Sequence, residues 1–537
     1  MQVLRTLKER FWTNSETFAA IRKFPLQLWL LYVIHWLNSF ASFALSPNLT
    51  IYLRRVFSVA SDTETTRYYA IWTLASIIVG IPGGLVIEVA GLWWSLFMGA
   101  TILTVSRILF AFSTNLTLTL VTLFVGISIG ADILESALDI AVMYYTESPA
   151  VQSIVFGILY GTMNVGAVIA FNLNDVLLDA SVGWNGYRLL FTIAAAASIV
   201  CSLLAYNYKM PRLLKTAIKE APKFKLSMMV TIFRQYQFWQ IFGLNLLLSG
   251  VKMIFRFIDT MLVVYLVRTN ESVRYGLLLS INPILIIPLV SIAAVVTQRG
   301  LSLFWWIVVG SLISATSPAW LWLWPGSTIV AASISLVQMT IGEAIWAPKL
   351  KQYSTVRPPQ NQKAIYAGWM PISGVPATLI AGELAGYLLD TYCPDIEIDL
   401  LGSVSLTDHQ GQCRMMWGWS LFTALTAPVL VSMCAWLINW EPKKQPNVED
   451  EQKVKELLDV SQPDEKKSDN HAVEQDEETT YQEAASGGLR AMFLKLLSRQ
   501  PTLPSVPDQK FQPPPQDFEM DEIKKDKSED DDQASLL

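Results

Sequence analysis

The sequence is poor in charge, in histidine and in cysteine. Only 16% of its 537 residues are charged, and it contains three histidines and four cysteines. Ordinary soluble domains carry about a quarter charged residues. No P-loop, CxxC, HExxH or GxSxG motif accompanies this composition. An ATP-driven pump and an intramembrane hydrolase are therefore unsupported, and we expect no enzyme activity, no cofactor, no metal site and no nucleic-acid partner.

The few charges are crowded together and leave long apolar runs between them. Most lie in the first 23 residues, in a central stretch and in the C-terminal tail. The runs between them approach the ~20 residues that a helix needs to cross a bilayer, and many of the tryptophans lie at run ends, as in interfacial belts. The pattern predicts an all-α membrane protein with twelve transmembrane spans, at residues 25–52, 67–89, 93–113, 116–145, 151–178, 187–208, 238–267, 274–297, 301–324, 327–348, 364–391 and 415–440.

The twelve predicted spans fall into two groups of six. Both groups begin alike, because the second and eighth spans start near Tyr69 and Tyr275 and carry Pro82 and Pro288 thirteen residues later. Two six-helix halves related by a parallel repeat are typical of one transporter architecture. The predicted organisation is a cytoplasmic N-terminus (1–24), an N-terminal half (25–208), a basic cytoplasmic linker (209–237), a C-terminal half (238–440) and a disordered acidic cytoplasmic tail (441–537).

Lysine and arginine are concentrated on one side of the predicted bundle. The N-terminus and the central linker hold most of them, which places both termini in the cytoplasm by the positive-inside rule. Asp532, Leu536 and Leu537 have the spacing of an acidic dileucine sorting signal. The plasma membrane and an endolysosomal or vacuolar membrane are both open as destinations.

Two of the four cysteines flank one polar loop. Cys393 and Cys413 would form a disulfide if that loop faces an oxidising space, and would otherwise be two free thiols. Cys201 and Cys434 lie inside apolar runs, where we expect them to be small core residues.

Several charged side chains fall inside predicted spans, where each needs a partner, an aqueous cavity or a function. The fourth span carries Asp132, Glu135 and Asp139 on one helix face. Three carboxylates at low dielectric would not all be ionised, so one of them should hold a proton or meet a cation. Proton or cation coupling is the functional interpretation. The alternative for Asp139 is simple hydration near the cytoplasmic end.

The seventh and tenth spans add further candidates. Arg256 and Asp259 are spaced to neutralise each other, whereas Lys252 and Arg256 share a face that would otherwise meet the acids of the fourth span. Glu343 in the tenth span is the first candidate, because nothing near it in sequence neutralises it. The remaining buried polar candidates would either pack or line a pocket, and they are His35, Asn38, Arg107, Tyr160 and Asn164.

These segments resemble the major facilitator superfamily, and in particular a branch close to the proton-coupled oligopeptide transporters. The segment with Gly84, Glu88 and Gly91, between the second and third spans, is similar to the superfamily's signature gating loop. The segment around Tyr160 and Asn164 resembles the peptide transporters' fifth span. The resemblance implies the major facilitator fold and alternating access.

The resemblance also bears on mechanism. The tenth-span segment with Glu343 and Pro348 is similar to a motif whose glutamate binds the substrate's amino terminus and helps to close a gate. The first span departs from the family, because it has His35 and Asn38 where peptide transporters carry an acid-x-x-acid-Arg motif. Coupling would then lie elsewhere, or the protein is not a proton-coupled peptide carrier. The positions at which coupling could lie instead are Asp132, Glu135, Asp259 and Glu343.

The leading hypothesis is a secondary active transporter that functions as a monomer in the lipid bilayer. Protons would accompany a peptide or an amino-acid-like zwitterion, with Glu343 binding the amine or switching a gate and Asp259 or Glu135 carrying the proton. A facilitative uniporter, with no pH dependence, is one alternative. A non-transporting sensor or trafficking protein, with the tail as its working part, is the other.

Overall fold

The computed structural model describes residues 24–143, 145, 149–178, 184–209, 231–269, 273–297, 301–324, 327–356, 366, 370–395 and 406–438, and every regular element among them is helical. The predicted all-α membrane architecture is confirmed. In chain order the helical segments are Leu26–Leu45, Ser46–Asn48, Leu49–Val56, Asp62–Ala90, Leu92–Phe112, Leu116–Val121, Thr122–Ile127, Ser128–Met143, Pro149–Leu177, Trp184–Tyr206, Tyr236–Leu247, Ser249–Phe257, Ile258–Leu262, Val263–Thr269, Tyr275–Leu279, Ile281–Val296, Leu303–Ala315, Pro318–Leu323, Thr328–Val356, Met370–Gly374, Val375–Tyr392 and Leu406–Ile438.

Ten of these helical stretches are long and apolar enough to cross a membrane, and the bent pair Tyr236–Leu247 and Ser249–Thr269 would make eleven. Asp62–Ala90 occupies the position predicted for the second span. Most of the predicted linker lies outside the described residues, as do the N-terminus to residue 23 and the tail with Asp532, Leu536 and Leu537.

Each half is held together by close helix packing at glycine. Gly99 and Gly130 lie between the third and fourth spans, and Gly310 and Gly342 lie between the ninth and tenth. A Cβ atom at any of the four would come within 2.7 Å of a backbone nitrogen of the neighbouring span. Because lipid supplies no hydrophobic force between spans, such small residues let van der Waals contact hold them together.

The predicted gating loop between the second and third spans is largely helical. Gly84 and Glu88 lie in the last turns of Asp62–Ala90, and only Gly91, with φ of 86°, separates this helix from the next. A continuing helix satisfies its own backbone hydrogen bonds, which an open loop in a membrane does not.

The seventh span is the most irregular. It bends by 44° between Tyr236–Leu247 and Ser249–Thr269, and its Ile258–Leu262 segment is a π-helical turn. π-Helical turns inside α-helices are frequent at functional sites. Lys252, Arg256 and Asp259 all lie between the bend and this turn or within it.

Candidate functional site

Asp259 connects the two halves through hydroxyl groups. Its Oδ2 atom accepts hydrogen bonds from Ser46 Oγ at 2.8 Å and from the Tyr69 hydroxyl at 2.6 Å. Ser46 lies in the turn that ends the first helix, and Tyr69 lies in the second span. Asp259 lies in the π-helical turn, and Arg256 interacts with it electrostatically but makes no ion pair within 4 Å among the described residues. Asp259 therefore bridges the two halves, and its predicted neutralisation by Arg256 stays a prediction.

Glu343 is held by an amide rather than by a cation. Its Oε2 atom accepts a hydrogen bond from Asn282 Nδ2 at 2.8 Å, and the same amide nitrogen lies 3.0 Å from Thr340 Oγ1. Tyr160 of the fifth span interacts electrostatically with Glu343 from the other half. Glu343 therefore stands beside the boundary between halves, with its negative charge left unpaired by any described cation.

The acids of the fourth span have different surroundings although they share a helix face. Asp132 Oδ2 is buried without a hydrogen-bond partner in the described part of the chain, and its Oδ1 faces Gly80 of the second span. Glu135 Oε1 accepts a 3.4 Å hydrogen bond from Asn38 Nδ2. Glu135 is exposed, although the asparagine that it contacts is buried.

Asn38 links Glu135 to a buried arginine. Arg107 donates to Asn38 Oδ1 at 3.0 Å, to Ser42 Oγ at 2.9 Å and to Ser198 Oγ at 2.8 Å. The first, third, fourth and sixth spans therefore share one polar network. The sequence signal for it was a buried asparagine and a buried arginine on different spans, which does not by itself reveal their contact.

Lys252 reaches back across the bend of the seventh span. Its Nζ atom donates to the backbone oxygen and to Oδ1 of Asn245, both at 3.2 Å. The bend turns this amine toward Asn245, so the predicted meeting of Lys252 and Arg256 with the acids of the fourth span does not occur among the described contacts. Lys252 thereby caps carbonyl groups freed at the end of Tyr236–Leu247, as cations near helix C-termini do.

Two other polar candidates make local packing contacts. His35 Nδ1 lies 3.1 Å from Thr162 Oγ1, which joins the first and fifth spans. Asn164 donates to the backbone oxygen of Tyr160 at 2.8 Å within its own helix. Neither contact reaches the acids at the boundary between halves.

At one end of the bundle, carboxylates of each half bind helix N-termini of the other. We call this the distal end. Asp390 of the eleventh span accepts from the backbone N–H groups of Asp62 and Thr63, at 2.8 and 3.0 Å. Asp175 of the fifth span accepts from those of Gly276 and Leu277, at 2.8 and 2.7 Å. Free N–H groups and the helix dipole favour a carboxylate there.

These two contacts correspond to each other under the predicted repeat. One joins the end of the fifth span to the start of the eighth, and the other joins the end of the eleventh span to the start of the second. Ion pairs add to them at the same end. Arg268 and Asp62 are joined by two hydrogen bonds of 2.8 and 3.0 Å, and Arg67 and Glu383 by two of 2.6 and 2.9 Å. The distal end is closed by contacts that the sequence analysis did not anticipate.

Glycines allow the halves to approach this closely, which gives a first prediction. A Cβ atom on Gly276 would overlap the Phe171 backbone, and one on Gly386 would overlap Thr63. We expect Gly276→Ala and Gly386→Ala each to lower the free energy of unfolding by about 1–3 kcal/mol, as overpacking does. Gly161→Ala is the control, because nothing lies within 4 Å of its position. Unfolding in mixed micelles measures the difference, and equal effects at all three sites would contradict the packing.

The fold and the polar interior define a class: a multi-pass helical membrane protein with acids at the boundary between two packed groups of spans, where no described cation pairs with them. The comparison with family models narrows that class. The model of the Major Facilitator Superfamily matches residues 31–381, more than half of the chain. The chain belongs to the Major Facilitator Superfamily, and it is a transporter and not an enzyme. The comparison with curated protein sequences gives no match.

Solved structures share the fold at low sequence identity. A POT family transporter in complex with 5-aminolevulinic acid superposes with a TM-score of 0.58 at 16% identity, covering 76% of this chain and 96% of its own. The POT family transporter PepTSo gives 0.58 at 13%, covering 77% and 99%. The nucleoside transporter NupG, as a mutant, gives 0.61 at 12%, covering 76% and 99%. At these identities the likeness concerns the fold.

Proposed function

We propose that this protein is a proton-coupled secondary transporter that works by alternating access, and that its distal end is closed in the conformation described. The halves would separate at the distal end to admit solute and close there again while the opposite end opens. In major facilitator folds, such rocking occurs around a site near the bilayer midplane. The unpaired acids between the halves occupy the region that this motion would expose alternately.

The bridge made by Asp259 is the observation that carries proton coupling. An ionised carboxylate accepts strong hydrogen bonds from Ser46 and Tyr69, since charge-assisted bonds are stronger than neutral ones. Protonation would remove that charge and weaken both hydrogen bonds that join Asp259 to the first two spans. Proton binding and release at Asp259 would therefore bias the contact between halves.

The arrangement of charge favours a zwitterionic solute, such as a peptide or an amino-acid-like molecule. Glu343 offers a negative charge that only the Asn282 amide satisfies by hydrogen bonding. Lys252 and Arg256 offer positive charge on the seventh span, and neither forms an ion pair among the described residues. A solute with an amine and an anionic group would compensate both charges, which are costly in a membrane. One structural neighbour binds 5-aminolevulinic acid and another a conjugated peptide.

The orientation follows from the basic N-terminus and linker. We propose that both termini are cytoplasmic, that the distal end faces the extracellular or luminal space, and that the chain works as a monomer. Residence in the plasma membrane or in an endolysosomal or vacuolar membrane is compatible with this orientation.

Asp259→Asn tests the coupling. In proteoliposomes, we expect this variant to lose the pH dependence of uptake of a pool of di- and tripeptides, because the amide keeps the size of the carboxylate but cannot bind a proton. Exchange of labelled for unlabelled solute at equal pH, which needs no net proton movement, should persist.

Glu64→Gln is the matched control, since Glu64 accepts from Tyr68 on its own helix and lies away from the boundary acids. Retained proton-driven uptake by Asp259→Asn would contradict the assignment. Exchange in the unaltered protein with no pH dependence would favour a uniporter. Absence of any flux, with a cellular effect lost on deleting the tail after residue 442, would favour the sensor.

A further inference from the structure

The segment that follows the eleventh span is fixed by a disulfide. The Cys393 backbone N–H caps that helix by donating to the Leu389 carbonyl at 2.9 Å. Its side chain is joined to Cys413 of the twelfth span, and both cysteines are fully buried. The backbone of residues 393–395 is therefore tied covalently to a second helix.

The same short segment surrounds Arg268 of the seventh span. Besides its two hydrogen bonds to Asp62, the guanidinium group donates through Nη1 to the Cys393 carbonyl. Its Nε atom lies 3.7 Å from Asp395 Oδ2. The side chains of Arg268, Asp62 and Asp395 are all less than a tenth exposed. One buried cation is thus shared between an acid of the N-terminal half and two acceptors presented by the disulfide-tied segment.

The start of the twelfth span is attached to the same place from the other side. Gln410 donates to the Thr269 carbonyl at 2.7 Å, next to Arg268 in sequence. His409 lies beside the disulfide, with Nε2 at 3.5 Å from Cys413 Sγ. The disulfide therefore joins the two C-terminal helices that together position Arg268 opposite Asp62.

We infer that the Cys393–Cys413 disulfide is a latch that holds the distal end closed. It fixes the Cys393 carbonyl and Asp395 so that Arg268 stays aimed at Asp62 of the other half. This inference rests on the proposed alternating access. A dithiol reductant would convert the disulfide into two thiols while becoming a disulfide itself, and the freed segment would hold Arg268 less firmly. The distal end would then open more often.

A buried reporter at the distal seam tests the latch. Ser280 is fully buried, and its Oγ atom accepts a 2.9 Å hydrogen bond from Asn172 Nδ2 of the other half. Ser280→Cys, with Cys201 and Cys434 changed to Ser, gives one reactive thiol. Its labelling by a membrane-impermeant thiol reagent is timed in proteoliposomes. With Cys393→Ser and Cys413→Ser added, we expect labelling about tenfold faster, the change that loss of one charge-assisted hydrogen bond produces. Asp395→Asn, with the disulfide intact, should give a smaller acceleration.

Arg268→Gln is the positive control, because it removes the ion pair between Arg268 and Asp62. Acceleration with Arg268→Gln but not with the serine pair would overturn the latch and leave alternating access standing. No acceleration in any variant would overturn both. If the serine pair does not fold, hydrogen–deuterium exchange of residues 62–70 in the unaltered chain replaces it. Faster exchange after reduction by a dithiol would support the latch, and unchanged exchange would overturn it.

Discussion

Glu343→Gln is expected to lower proton-driven uptake of the transported solute by about 100-fold, because losing a hydrogen bond to a charged group costs about 1.5–3 kcal/mol. The amide keeps the size of the carboxylate and can still accept a hydrogen bond from Asn282, so the fold should survive. What disappears is the negative charge that, in our proposal, compensates the amine of the solute.

Uptake into proteoliposomes under an inward proton gradient measures this loss, with thermal unfolding as the check on folding. Glu64→Gln is the matched control, since Glu64 accepts from Tyr68 on its own helix and lies away from the boundary acids. Uptake by Glu343→Gln at the level of the unaltered protein would remove Glu343 from the solute site. A loss of equal size in Glu64→Gln would show that the assay reports general damage.

Arg268→Gln is expected to lower the free energy of unfolding by about 3–5 kcal/mol, the usual cost of removing one partner of a buried ion pair. The cost arises because Asp62 would remain buried with its charge uncompensated. Asp62 does keep a second arginine nearby, Arg54 at 4.0 Å, which places the expected loss toward the lower figure. Unfolding in mixed micelles, followed by the helical signal, provides the measurement.

A double-mutant cycle separates the pair from its surroundings. In Arg268→Gln combined with Asp62→Asn, both charges are gone, so we expect the double variant to be more stable than the sum of the single losses predicts. Arg67→Gln is the comparison, because Arg67 and Glu383 are about half exposed and such pairs contribute little. Strictly additive losses at Arg268 and Asp62 would contradict the coupling between them.

The fold could be predicted from the sequence because transmembrane spans are long apolar runs, and the segments that connect them on the cytoplasmic side are basic. It also singled out Glu343 and Asp259, since charge inside an apolar run is conspicuous. It did not reveal their partners. Ser46, Tyr69 and Asn282 are ordinary polar residues at positions far apart in sequence, and only packing brings them to the acids.

The contacts at the distal end could not be predicted from the sequence for a different reason. Asp175 and Asp390 accept hydrogen bonds from backbone N–H groups, and a site made of backbone donors leaves no trace in residue type. Arg268 lies just beyond the predicted seventh span, where a hydrated charge is expected, yet it is buried against Asp62. Helical periodicity likewise left open whether Lys252 meets the acids of the fourth span, whereas the bend of the seventh span places its amine beside Asn245.

Proton movement coupled to solute movement is the most direct test of the central claim. The purified full chain would be reconstituted into liposomes that contain a pH-sensitive dye, with an inward proton gradient and pooled di- and tripeptides outside. The account predicts that peptides accelerate acidification of the interior, and that Asp259→Asn abolishes this acceleration. If acidification is the same with and without the peptides, in folded protein that still exchanges them, that result would contradict proton coupling.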